Sequence, residues 1–170
     1  MSALDFLSPN RAEVRDGFEP RLRSPLEHAL GDRGAAFGIH DISLETAKIE
    51  VRGDVERLSA EDGFEVTPDR ALVLAEYERG PELRAELERE FDTVIDLTGA
   101  LAGVRIERPD AERLLRRISE LDLRQAPTIG ALAHIPVHVL PHEGGFRLFF
   151  PQEYGDYFVE VLLDAAEGLE

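Results

Sequence analysis

Between Phe91 and Asp122 the sequence FDTVIDLTGALAGVRIERPDAERLLRRISELD switches its hydrophobic period from two residues to about 3.6, which limits the fold more than any other stretch. Thr93 to Leu97 is nearly all apolar at Val94, Ile95 and Leu97, as in a strand covered on both faces. After Thr98-Gly99, Leu101 to Glu107 reads as a second strand. Arg108-Pro109-Asp110 then turns the chain into a helix with proline at its first position, and Leu114, Leu115, Ile118 and Leu121 form the buried stripe. Strand, turn, strand and amphipathic helix in one run predict an α+β fold.

The flanks follow the same grammar. Ser24-Pro25-Leu26-Glu27 combines an N-cap serine, a proline and a glutamate three residues on, predicting a short helix that stops at Gly31. From Leu44 to Arg52, Ala47, Ile49 and Val51 alternate with Lys48, Glu50 and Arg52, the pattern of a half-buried strand with a polar outer face. Residues 54–70 read as a polar, turn-rich connection broken at Asp62-Gly63 and Pro68-Asp69. Ala71 to Tyr77 is a strand, and Gly80-Pro81 opens a helix with Leu83, Leu87 and Phe91 on one face.

Beyond the central stretch, Pro127 prevents Asp122 to Thr128 from being helical throughout. Ala131 to Leu140 reads as one alternating strand, with Ile135, Val137 and Val139 on one face and His134, Pro136 and His138 on the other; Pro136 points to an edge or a bulge. The turn His142-Glu143-Gly144-Gly145 leads to a hairpin partner at Phe146 to Phe150. Pro151 opens a last helix, ending at Gly168, with Tyr154, Phe158, Val161, Leu162 and Ala165 on its apolar face. The expected fold class is therefore α+β, with mixed or antiparallel sheets and packed helices. Residues 1–23 are expected to be a mobile arm and residues 24–170 one domain.

One internal echo stands out. DISLETAKIEVRGDVERL from Asp41 resembles DLTGALAGVRIERPDAERL from Asp96 with one residue inserted. Chance and duplication account for it about equally; duplication would imply related subdomains at 24–91 and 92–170 packed together.

Composition narrows the function. A chain of 170 residues buries about two thirds of its unfolded surface and needs no staples. The absence of cysteine excludes disulfides, thiolate metal sites and a cysteine nucleophile. Acidic residues outnumber basic ones 35 to 19, a net charge of -16 without a basic stripe, which argues against nucleic acid as a partner. Lys48 is the only lysine; a high-salt cytoplasm or a GC-rich genome would each give such a bias. The first residues lack a basic stretch followed by an apolar run, and no window approaches the ~20 apolar residues of a membrane span, so a cytoplasmic protein is expected, off the membrane.

No catalytic constellation emerges. His134, His138 and His142 share a four-residue spacing, but Pro136 and Pro141 oppose a helix, and on a strand four residues span roughly 13 Å, too far for two ligands of one zinc ion. Glu143 and Asp156 have no spacing that fixes them as an acid–base pair. The serines lack a GxSxG context, and Gly144-Gly145 is a hairpin pair rather than a phosphate loop. Tyr154, Tyr157 and Phe158 read as an aromatic patch or as core. Asp96 and Thr98, at a strand end, suit either a turn cap or a ligand contact.

Taken together, SPLEH from Ser24, KIEVRG from Lys48, DRALVLAEY from Asp69, the stretch TVIDLTGALAGVRIERPDAERLLRRISELDL and the tail GGFRLFFPQEYGDYFVEVLLDAAEGL resemble the gamma subunit of heterotetrameric sarcosine oxidase. That family is similar in turn to the folate-binding module of the glycine-cleavage T protein, an aminomethyltransferase. The resemblance implies a T-protein-like architecture and a role in a complex that oxidatively demethylates an N-methyl amino acid, with tetrahydrofolate capturing the one-carbon unit. It implies a large flavin-bearing subunit as partner, with flavin and NAD held only by other subunits. Where the T protein carries an acidic pair after its hairpin, this chain has Gly145-Phe146-Arg147-Leu148, which fits a noncatalytic subunit. The chain itself is expected to bind no cofactor directly; tetrahydrofolate is the one it could contact, at Asp96 and Thr98, where capping of the turn is the preferred reading. A stand-alone folate-binding or regulatory protein and a structural interaction domain are the alternatives.

Overall fold

The computed structural model describes residues 22–58 and 63–169. The arm expected at 1–23 and the breaker at Asp62 therefore fall largely outside the described residues. Among the described residues there are nine strands: β1 (Ile39–Asp41), β2 (Thr46–Arg52), β3 (Gly63–Thr67), β4 (Arg70–Glu76), β5 (Thr93–Asp96), β6 (Leu101–Glu107), β7 (Thr128–Leu132), β8 (Ile135–His142) and β9 (Gly145–Pro151). The helices are α1 (Glu27–Leu30), α2 (Arg33–Ala36), α3 (Gly80–Leu87), α4 (Ala111–Leu115) and α5 (Gly155–Glu167). Two antiparallel sheets result, one ordered β1-β6-β9-β8-β7 and the other β3-β4-β2-β5.

Both sheets are apolar on both faces, which stacks the molecule in four layers. In β4, Ala71 and Val73 pack with Leu83, Leu87 and Phe91 of the α3 region, while Leu72 and Leu74 turn to the other sheet. In β9, Leu148 and Phe150 pack with α4 and α5, while Phe149 meets Leu72, Leu74, Ile42 and Leu140 between the sheets. Phe150 and Phe158 pack with their rings tilted at 49° and their centroids 4.4 Å apart. Each fully buried side chain of this size contributes about 1.5–3 kcal/mol, so the three apolar interfaces between these four layers carry most of the stability.

The first strand of each half is exchanged. β1 pairs with β6 in the five-stranded sheet, and β5 pairs with β2 in the four-stranded one. The registers agree: Asp41 lies opposite Val104, and Asp96 lies opposite Ile49. At a constant offset of 55 residues, Asp41 corresponds to Asp96, Ser43 to Thr98 and Lys48 to Gly103, so the two echoing segments are built alike. β4 and β9 each run through a 3-10 turn, Tyr77–Arg79 and Gln152–Tyr154, into α3 and α5.

Several expectations are corrected. β5 is not covered on both faces: it is an edge strand, with Thr93 and Asp96 exposed and Val94 and Ile95 half-buried. The connection at 54–70 holds β3 and a 3-10 turn at Val55–Arg57; Glu65 and the short length hid the strand. Ala131 to Leu140 is two strands, because Ala133 (φ 48°) and His134 (φ 66°) form a tight turn without the glycine or asparagine that usually signals one. Pro136 pairs with Ala131 where β8 runs past its pairing with β9. α4 begins after Asp110, not at Pro109, and Ile118 and Leu121 pack on the core from beyond its end. In α5, Val159, Leu163 and Ala166 join Phe158, Leu162 and Ala165 as buried residues, whereas Tyr154 stands in solvent.

Candidate functional site

The site grows from two strand ends. A short acidic side chain at the end of a strand readily accepts a hydrogen bond from the backbone two residues on. Asp41 Oδ1 accepts from Ser43 N–H at 2.9 Å, and Asp96 Oδ1 accepts from Thr98 N–H at 2.9 Å. The hydroxyls then tie each turn to the other half. Ser43 Oγ accepts from Gly103 N–H, and Thr98 Oγ1 accepts from Lys48 N–H, both at 3.0 Å. The backbone does the same, since Ile42 N–H donates to Gly103 O at 2.9 Å and Leu97 N–H to Lys48 O at 2.8 Å.

Lys48 lies under this double crossing. Its alternation placed it on a polar outer face, but the second sheet covers that face and the side chain is fully buried (0% exposed). The ammonium donates to the carbonyls of Ser43 (2.8 Å), Leu101 (3.1 Å) and Thr98 (3.3 Å) and sits 5.9 Å from the centroid of Phe149. Burial pushes its pKa down to about 8, a shift opposed by the charges of Asp41 and Asp96. Sequence reading missed this residue. Two signals were there: it is the only lysine, and the echo aligns it with a glycine.

A cleft of about 760 Å³ opens above, and Ser43, Thr98 and Leu101, whose carbonyls hold Lys48, all line it. Tyr77, Pro81 and Leu44 give it apolar walls, while Asp96 and Gln152 supply polar groups. Tyr77 and Gln152 occupy matching places, donating their N–H groups to Glu45 O and Ala100 O, each at 3.0 Å. The volume suits a cofactor-sized molecule or an inserted side chain. Asp96, exposed, and Thr98, half-buried, thus meet at one site, where Asp96 caps the turn, Thr98 ties it to Lys48 N–H, and both line the cleft. A second cavity, about 610 Å³ with Asp41, Glu45 and Arg105 in its lining, adjoins along Leu22, Arg23 and Leu44.

The other candidates are scattered. His134 sits in the β7–β8 turn, His138 on the face of β8 towards the other sheet, and His142 beside Glu107 at 3.4 Å, a carboxylate that also lies 3.7 Å from His40. Among the described residues no three histidine, aspartate or glutamate side chains are placed to hold a metal. Glu143 lies in the β8–β9 turn and Asp156 on the exposed side of α5. Tyr154 and Tyr157 are exposed, and Tyr157 donates to Ala133 O at 3.4 Å. Among the described residues no helix is long and apolar enough to cross a membrane.

His138, half-buried, and Lys48, buried, both contribute to the pH dependence of stability. Burial lowers the pKa of His138, against an opposing effect of Glu50, so the unfolded chain takes up that proton first as the pH falls below about 6.5. Stability should decline from there towards lower pH. For Lys48 the unfolded chain keeps its proton between pH 8 and 10.5 while the folded chain releases it, so stability should rise across that window, by on the order of 3 kcal/mol over the whole interval. Urea denaturation at a series of pH values checks both limbs, and the alkaline rise should vanish in Lys48→Met.

The architecture defines an α+β class in which two antiparallel sheets pack face to face between outer helices, with their first strands exchanged. Among solved structures, a chain of the heterotetrameric sarcosine oxidase from Corynebacterium sp. U-96, in complex with pyrrole 2-carboxylate, shares this fold at a TM-score of 0.73 and 20% identity, over 86% of this chain and 95% of that one. The likeness to sarcosine oxidase read from the sequence is thus matched in the fold. A chain from a structure of aspartokinase alpha and beta subunits overlaps at a TM-score of 0.45 and 12% identity, over 76% of this chain and 97% of that one, a level from which nothing about this chain follows. No family model matches the sequence, and no curated protein is significantly similar to it.

Proposed function

We propose that the chain is the noncatalytic gamma-type subunit of a cytoplasmic sarcosine oxidase-like complex, which oxidatively demethylates an N-methyl amino acid and passes the one-carbon unit to tetrahydrofolate. The observation that carries this reading is the fold shared with a sarcosine oxidase chain over 95% of that chain's length. The motifs of the central stretch support it. On this reading a large flavin-bearing subunit is the partner, flavin and NAD reside in other subunits, and the two-sheet architecture is that of the T protein's folate-binding module.

A second reading, a stand-alone folate-binding protein, draws on the cleft at Asp96 and Thr98. Two measurements separate the two. Co-expressed with a flavin-bearing large subunit of a sarcosine oxidase, the chain should co-elute with it in size-exclusion chromatography; a chain that stays monomeric beside that subunit overturns the first reading. Calorimetric titration of the isolated chain with tetrahydrofolate decides the second. Micromolar binding that Asp96→Ala weakens about tenfold would establish it, and no heat of binding would remove it.

A further inference from the structure

The Asp41 and Asp96 carboxylates each cap a turn, and both lie close enough to Lys48 to favour its charged form. Between them the carbonyls of Ser43 and Thr98, themselves equivalent by the 55-residue offset, converge with that of Leu101 on one point. Three carbonyl oxygens beside two carboxylates are the surroundings of a cation. One half of the chain supplies it as the Lys48 side chain, and the other has Gly103 at the matching position. A Cβ at Gly103 would come within 2.8 Å of the Phe149 ring, the same ring that the ammonium faces. The cation is therefore shared between the halves but tethered to only one.

We propose that the Lys48 ammonium is a tethered cation that fixes the floor of the cleft, and that the three carbonyls holding it are a receptor for a primary alkylammonium ion once the tether is cut. Lys48 is a positioning residue here: it is buried and touches no ligand, but every group it holds lines the cleft. Without it, Ser43, Thr98 and Leu101 have carbonyls turned inward with no donor, and the two turns lose their common anchor. Burial, opposed by the Asp41 and Asp96 carboxylates, lowers the pKa of Lys48. An ammonium kept where burial opposes it serves the arrangement of the site more than the stability of the fold.

The test uses the full chain with Lys48→Ala, which removes three methylenes and the ammonium, and n-propylammonium as the probe that replaces them. The melting temperature of the variant should fall by roughly 10 °C, and n-propylammonium should restore a substantial part of this saturably, whereas 1-propanol at equal concentration should not. Equal recovery with both, or with neither, overturns the proposal. If the variant does not fold, the wild-type chain labelled with 15N-lysine gives the answer, because its single lysine yields a single Nζ resonance. A slowly exchanging, hydrogen-bonded ammonium supports the tethered cation, and one that exchanges as fast as that of a free lysine refutes it.

Discussion

Residues 1–91 and 92–170, produced separately, are expected to be unfolded and to form a folded complex only when mixed. The cut passes between the halves that the internal echo outlines, yet the exchanged strands make each half incomplete. Alone, the first half would lose β5 from β2, and its Ile42, Leu72 and Leu74 would lose Leu140 and Phe149 of the second half. The second half would lose β1 from β6, together with Leu26, Ala29, Leu30 and Ile39 from its largest core. Three or four large apolar side chains exposed in each half cost about 5–10 kcal/mol, comparable to the whole stability of a typical domain. Circular dichroism and amide NMR dispersion of each half and of the mixture measure this. Cooperative unfolding of either half by itself would contradict it.

The second large effect is expected at Gly145. This residue faces Glu107 at the start of the β6–β9 ladder, and a Cβ there would fall on the carbonyl oxygen of Ile106 and reach the Ala111 side chain at 3.4 Å. Backbone cannot give way as a flexible side chain does, so Gly145→Val must shift the strand that carries Leu148 and Phe150 into the core. A loss of about 3 kcal/mol or more is expected, against less than about 0.5 kcal/mol for Gly99→Ala, where a Cβ meets nothing within 4 Å. Denaturant midpoints of the two variants provide the comparison, and equal midpoints would show that the ladder relaxes freely.

Legibility in the sequence followed burial. β2 alternates, and β4, β6 and β9 carry apolar runs because both of their faces are covered; their boundaries were readable to within two residues. β3 and the β7–β8 turn were not, because one is a short edge strand with a charged residue and the other is a turn made by Ala133 and His134 at positive φ. β5 looked like an interior strand because Val94 and Ile95 are both apolar, but as an edge it only half buries them. Of the site, Asp96 and Thr98 were visible as a strand end. Lys48 was not, since alternation assigns a side chain to a face and says nothing about what covers that face. That the second sheet would lie on the polar side of β2 depends on the exchange of β1 and β5, a long-range pairing that no local pattern records.

The burial of Lys48 also changes how the molecule meets reagents. With one lysine in the chain and that one enclosed between the sheets, the described surface presents arginine as its long-chain cation and no ε-amine. An acylating or reductively alkylating probe can reach the ε-amine only when the two sheets separate. Its rate of modification therefore reads the opening equilibrium of the innermost layer, an intrinsic clock for breathing of the sandwich that needs no engineered label.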